Sequence, residues 1–258
     1  MNNAIEIKNI SKSFDELKAV DNLSLNIPEN AVFAVLGPNG AGKTTIINML
    51  ATLLKPDEGS IKIFGLDVVK ESGKVRELIG LTGQYASVDE ALSAKQNLVI
   101  FGQLLGLSNK EAKTRGNELL KEFHLEDAAD KAISKFSGGM RRRLDLAVSL
   151  IAHPKLIFLD EPTTGLDPRT RNQMWSTIED LVKKGSTVLL TTQYLEEADQ
   201  LADRIAIMDK GEIMAEGTAE SLKKEHDAKN LDEVFLKITG DGTSGRNNDD
   251  ELTIIKET

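Results

Sequence analysis

The chain has 258 residues, 40% hydrophobic and 28% charged, enough apolar mass for one large domain or two closely joined ones. Its formal charge of −9 argues against nucleic acid as a primary ligand, because a phosphate backbone demands a basic footprint. The absence of cysteine excludes disulfides, thiolate chemistry and cysteine-ligated zinc, and fits a reducing cytoplasm.

The opening stretch MNNAIEIKNISKSF lacks a basic start followed by an apolar run, so no secretory signal is expected. AIEIK and NLSLNI alternate with period two and flank a short polar loop carrying Phe14 and Asp15, which predicts a small antiparallel sheet. The run from Ala31 to Leu36 has no polar-out alternation and reads as a strand buried on both faces. KPDEGS at 55–60 is turn chemistry, and IKIFG after it is a second short strand. A helix is expected near 70–78, leading into the strand IGLTGQ that ends at Gln84.

From about 86 to 153 apolar residues recur at three- and four-residue spacing, which predicts an inserted helical subdomain. It closes with FSGGMRRRLDLAVSLIAH, where Ser137 opens a helix whose apolar face is Leu144, Ala147, Val148 and Ile151. KLIFLDE, a helix near 168–184, and STVLLTT restore the strand and helix alternation. RIAIMDKGEIMAEG reads as a hairpin around Asp209, Lys210 and Gly211. Residues 1–225 are expected to form the main domain. The extension 226–258 holds one short helix, LDEVFLKI, and then the polar stretch TGDGTSGRNNDDE, expected to be disordered. No apolar run approaches the length of a bilayer span, so action at a membrane would require another chain to cross it.

Two stretches carry chemistry. In AVFAVLGPNGAGKTT, residues Gly37, Pro38, Asn39, Gly40, Ala41, Gly42, Lys43 and Thr44 satisfy G-x-x-x-x-G-K-[ST] between a buried strand and a helix, with Thr45 behind. The glycines let backbone N–H groups form a concave nest for a phosphate, and the helix N-terminus favours the anion. Lys43 is expected along the β- and γ-phosphates of a nucleoside triphosphate, and the Thr44 hydroxyl on an octahedral Mg²⁺. The second stretch, KLIFLDE, delivers Asp160 and Glu161 at the C-terminal end of a buried strand. In successive strand positions the two point to different sides, with Asp160 toward the Mg²⁺ shell and Glu161 toward an attacking water as general base.

Taken in order, this phosphate loop, Gln84 after a strand, SGG at 137–139, LDEPTTGLDP at 159–168 and a polar residue ending a late strand at 193 resemble the nucleotide-binding subunit of an ATP-binding-cassette (ABC) transporter. The resemblance covers roughly residues 3–225. LTGQYASVDE and LLTTQYLEEADQLADRI are most similar to the ATP-binding subunits of the daunorubicin-resistance type of drug exporter. The implied fold is α/β: a P-loop NTPase core of mainly parallel strands, with an N-terminal antiparallel β edge and the inserted helical subdomain. The implied activity is ATP hydrolysis in an ATP-bound homodimer coupled to separate transmembrane permease subunits. That places the chain at the cytoplasmic face of the membrane, peripheral through its permease, with no nucleic acid partner.

In such a dimer each ATP lies between the phosphate loop of one copy and Ser137, Gly138 and Gly139 of the other, with Asp167 at the interface. Gln84 would complete the metal or water shell, and Phe14 would stack on adenine. The sequence departs from the family's commonest pattern at Phe136 and Met140, beside the SGG trio, and at Gln193, where most members carry histidine. Glutamine can hydrogen-bond a γ-phosphate but is never cationic and relays no proton, so Glu161 is expected to act as base and Gln193 only to position. Two other readings remain open here: an ABC-type ATPase with no transport role, and a nucleotide-gated clamp with very slow hydrolysis. Arg141, Arg142 and Arg143 read as a mostly solvated basic run. Met174 and Trp175 read as a helix packing face, and the three histidines show no metal-ligand spacing.

Overall fold

The computed structural model describes residues 2–82 and 88–240. Strands β1 (Asn3–Phe14) and β2 (Leu17–Pro28) pair antiparallel and turn tightly at Asp15 and Glu16. Both run past the alternation visible in the sequence. The register shifts between Ile7 and Ile10 and again between Ile10 and Lys12, and Asn9 and Asn22 at these bulges take left-handed φ of 48° and 45°. Each bulge exchanges the faces of the residues after it, so the second half of each strand carries no simple period-two signal.

Strand β3 (Val32–Leu36) leads through the phosphate loop into α1 (Lys43–Leu50). β4 (Glu58–Ile63) returns to pair with β1, and β5 (Leu66–Asp67) completes an antiparallel sheet of order β2-β1-β4-β5. The helix expected at 70–78 is the short α2 (Ser72–Arg76), followed by β6 (Ile79–Thr82). Gln84 lies outside the described residues.

The stretch expected to be helical contains α3 (Ala94–Leu104), α4 (Asn109–Glu122) and α5 (Gly138–Ser149), with 3-10 turns at Glu126–Ala128 and Ile133–Lys135. Ser93 and Ser108 open α3 and α4 with capping boxes to Gln96 and Glu111. β7 (Leu156–Asp160), α6 (Pro168–Lys183), β8 (Thr187–Thr192), α7 (Leu195–Leu201), β9 (Arg204–Asp209) and β10 (Glu212–Gly217) follow. The β9–β10 turn has positive φ at both Lys210 (47°) and Gly211 (88°), the geometry that matches hairpin twist. The chain ends in α8 (Ala219–Glu225) and α9 (Leu231–Thr239), whose Leu231 and Val234 are buried.

The second sheet has the order β10-β9-β3-β8-β7-β6 and is parallel except for β10 at its edge. Its central strands are buried throughout, and their residues sort by parity into two cores. Val32, Ala34, Leu36, Ile157, Leu159, Val188 and Leu190 pack against the α3–α6 side. Phe33, Val35, Leu156, Phe158 and Leu189 pack with α1 and the inner face of the antiparallel sheet. The inserted helices thus share a core with the parallel sheet: Leu98, Leu119, Phe123 and Leu144 join the same cluster as β3 and β7. This two-faced burial explains the unbroken apolar runs, and it fixes β3, β8 and β7 side by side so that their C-terminal ends open on one edge.

Candidate functional site

The phosphate loop leaves β3 at that edge. Gly42 ends it at φ 102°, and a Cβ there would lie 2.3 Å from the Ala19 carbonyl oxygen of β2, so neither backbone shape nor space admits a side chain. The first-turn N–H groups of α1 receive no side-chain cap, unlike those of α3, α4, α5 and α6. Lys43 is 5% exposed and donates to the carbonyls of Gly37 (2.8 Å) and Pro38 (3.0 Å). Ala41 points into the core, its N–H bonded to Pro38 and its carbonyl to Gly211, while Pro38, Asn39, Gly40, Thr44 and Thr45 retain exposed surface.

Across β8, the end of β7 meets this loop. The Thr44 hydroxyl donates to Asp160 Oδ2 at 3.0 Å, and the Thr191 hydroxyl of β8 donates to Oδ1 at 2.5 Å. Asp160 is 3% exposed and has its lone pairs engaged on both oxygens. Glu161 follows in the left-handed region at φ 48°, and its Oε1 lies 3.5 Å from the Lys43 ammonium. Strand alternation was the expected reason for the two carboxylates to diverge. The observed reason is this turn, which carries Glu161 out of the sheet while its N–H still bonds Thr191 O at 3.1 Å. The structure thus brings Lys43, Thr44, Asp160 and Glu161 together. No group of three or more His, Asp or Glu side chains among the described residues could hold a metal unaided. Thr44 and Asp160 supply two oxygens 3.0 Å apart, close to the ~2.9 Å edge of an octahedron with ~2.1 Å bonds, so the pair fits a Mg²⁺ held otherwise by phosphate and water.

A second surface is built from α5 and α6. The Ser137 hydroxyl caps α5 by accepting the Met140 N–H at 3.2 Å. A Cβ on Gly138 would meet nothing within 4 Å, whereas one on Gly139 would come within 2.6 Å of Thr170 Cγ2 in α6. Gly139 therefore serves close packing against α6 as well, while the space beside Gly138 is open. Asp167 caps α6 through the Arg169 and Thr170 N–H groups, both at 3.1 Å, and accepts the Thr170 hydroxyl at 2.6 Å. These hydrogen bonds, the Thr170 hydroxyl foremost, hold its carboxyl below the usual range. Phe14 is 46% exposed at the end of β1, with the Lys12 ammonium 5.7 Å from its ring centre, so it is not a core residue. Gln193 lies in the bend after β8, half-buried.

Three features of the site were not legible beforehand. The basic run is engaged, not merely solvated: Arg141 pairs with Glu90 at 2.7 Å, and Arg143 donates to Phe123 O at 3.0 Å. Arg142 donates to Asp160 O (2.7 Å), Glu161 O (3.0 Å) and Pro162 O (3.0 Å). Beside it, a cleft of about 700 Å³ is lined by Gly138, Arg141, Asp145, Asp160 and Glu161, and burial pushes the Asp145 carboxyl up to about 6. Glu197 of α7 is fully buried. Its Oε1 accepts the Thr163 hydroxyl at 2.8 Å and the Trp175 indole N–H at 3.2 Å, and burial raises its carboxyl against these neighbours and Thr192. The available signal was its i, i+4 spacing to Leu201 on the buried side of α7.

Comparison with known proteins bears on this geometry directly. The profile of the ABC transporter family matches residues 20–164. The chain is 56% identical over 220 residues to the daunorubicin/doxorubicin resistance ATP-binding protein of Streptomyces peucetius, covering 85% of this chain and 67% of that one. It is 39% identical to the Nod factor export ATP-binding protein I of Rhizobium sp. (strain N33), covering 90% and 76%. Among solved structures, the ATP-binding subunit of an ABC transporter superposes with a TM-score of 0.82 at 26% identity, over 92% of this chain and all of that one. A dimeric ATP-binding cassette in a post-hydrolysis state with ADP and Pi superposes with a TM-score of 0.75 at 29% identity, covering 83% and 98%. With the phosphate loop, the paired carboxylates and the two-sheet core all in place, the chain belongs to the ABC transporter family, as an ATP-binding cassette.

Proposed function

We propose that this cassette hydrolyses ATP between two facing copies and so energises export of an amphipathic small molecule through separate membrane-spanning subunits. What supports the reading is that the chain carries two sets of phosphate-binding groups. One joins the uncapped N-terminus of α1, Lys43, Thr44, Asp160 and Glu161; the other presents Ser137, open Gly138 and Asp167 without a lysine. A triphosphate gripped by the first set presents its γ-phosphate outward, and a serine hydroxyl with bare amides at a helix N-terminus suits that anion. The resistance and Nod factor export relatives support an exporter, and the dimeric ADP and Pi structure supports both the pairing and the hydrolysis. No helix among the described residues is long and apolar enough to cross a membrane, so a permease would supply the span and hold the cassette at the cytoplasmic face.

In this reading Glu161 accepts a proton from water as its oxygen attacks the γ-phosphorus, and the bond to the β–γ bridging oxygen breaks. Lys43 spans the β- and γ-phosphates and offsets charge on the leaving group. Thr44 and Asp160 would hold Mg²⁺, which when bound neutralises phosphate charge. Gln193 would position the γ-phosphate and water, Phe14 would stack on adenine, and Gln84, outside the described residues, is assigned to the metal or water shell by family resemblance alone. The test is phosphate release from the purified cassette in membranes with and without its permease. Stimulation by the permease, abolished by Glu161→Gln, is expected; a rate indifferent to Glu161→Gln overturns it.

A further inference from the structure

Glu161 is held in a backbone conformation that costs a non-glycine residue about 1–2 kcal/mol, so something must hold it there. The chain places one guanidinium at that turn. Nη2 of Arg142 donates to the carbonyls of both Asp160 (2.7 Å) and Glu161 (3.0 Å), and Nε donates to that of Pro162 (3.0 Å). Three successive carbonyl oxygens thus converge on one planar fork, an arrangement that a strand could not present because its carbonyls alternate. Arg142 is itself fixed in α5, five positions after Ser137 caps that helix. Asp145, three positions further along α5, lines the same cleft, and its negative charge favours the charged guanidinium.

We infer that Arg142 is a positioning residue for ATP hydrolysis, tying the left-handed turn that aims Glu161 at the phosphate site to the helix whose first turn meets the other nucleotide. This rests on the proposed reading, in which Glu161 is the base and Ser137 and Gly138 contact the ATP bound by the facing copy. Its physical consequence is a direct mechanical link inside each copy. A shift of α5 on gaining or losing its nucleotide contact is carried by the guanidinium to the carbonyls on either side of Glu161. Lysine cannot replace it, because a single ammonium centre does not span three carbonyls along a fork.

The test uses the full chain in membranes with its permease. Arg142→Ala is expected to lower kcat about a hundredfold, the cost of an ångström-scale misplacement, while KM and the Kd for MgATP stay within about twofold. Arg142→Lys should lose at least about tenfold in kcat, and it carries the test if the alanine variant does not accumulate folded. Free guanidinium, far below unfolding concentrations, should restore part of the Arg142→Ala rate but none of the Arg142→Lys rate. Combined with Glu161→Gln, Arg142→Ala should add no further loss, since both act through one carboxylate. Wild-type kcat in the alanine or lysine variant, a loss appearing only in KM, no response to guanidinium, or multiplicative losses in the double variant would each overturn the assignment. The Glu161→Gln chain alone separates the two claims. If it fails to bind MgATP and pair, the proposed function falls; if it pairs and the Arg142 variants turn over normally, only the role of Arg142 falls.

Discussion

Replacing Glu197 with alanine should destabilise the cassette by about 3 kcal/mol, and glutamine should cost under about 1 kcal/mol. The magnitude follows from the contacts. The carboxylate is fully buried and accepts from the Thr163 hydroxyl and the Trp175 indole N–H through one oxygen. Alanine leaves both donors without that acceptor, at roughly 1–3 kcal/mol each, and removes about 0.8 kcal/mol of methylene burial. Against this stands the relief of a buried carboxylate whose ionised form is already disfavoured by desolvation. Glutamine keeps an oxygen for both donors. Trp175 is the single tryptophan, so urea unfolding followed by its fluorescence reads stability at the site. An alanine variant within about 0.5 kcal/mol of wild type, or a glutamine variant as costly as alanine, would refute the reasoning.

Gly42→Ala should lose about 3 kcal/mol and most nucleotide binding, because strain at φ 102° adds to a 2.3 Å overlap with the Ala19 carbonyl; urea unfolding and a fluorescent ATP analogue measure both. Ser137→Ala should cost about 1 kcal/mol as a lost cap, while abolishing ATP-dependent pairing and leaving MgATP binding to the monomer unchanged in titration calorimetry. Asp145→Asn should stabilise the protein at pH 7 but not near pH 4. The folded carboxyl titrates at about 6 against an ordinary 3.8, so the wild type binds more protons folded than unfolded and loses stability as pH rises through that window. At ~1.4 kcal/mol per pH unit the cost nears 3 kcal/mol, reduced by the open cleft to roughly 1, which thermal melts at pH 4 and pH 7 resolve.

Much of the fold was legible because burial wrote itself into composition. β3, β7 and β8 are apolar without alternation because both faces are covered, and Ser137 marks a helix start by its own chemistry. The hairpin at Lys210 and Gly211 was equally plain. What stayed hidden depends on single backbone angles or on distant partners. The bulges at Asn9 and Asn22 masked half of β1 and β2, and the left-handed φ of Glu161 leaves no trace in KLIFLDE. Arg142 looked like one charge in a run because its acceptors are main-chain carbonyls about twenty residues away, which carry no sequence signature. Nothing in LEEADQL names the partners of Glu197, because Thr163 and Trp175 come from other elements.

If ATP is held between two copies, the mass in solution of the Glu161→Gln chain, measured by sedimentation, depends on the nucleotide. With MgATP it should sediment as a dimer, and with ADP, or with Lys43→Ala added, as a monomer. A chain that binds MgATP yet stays monomeric, with its permease present as well as without it, would contradict the account.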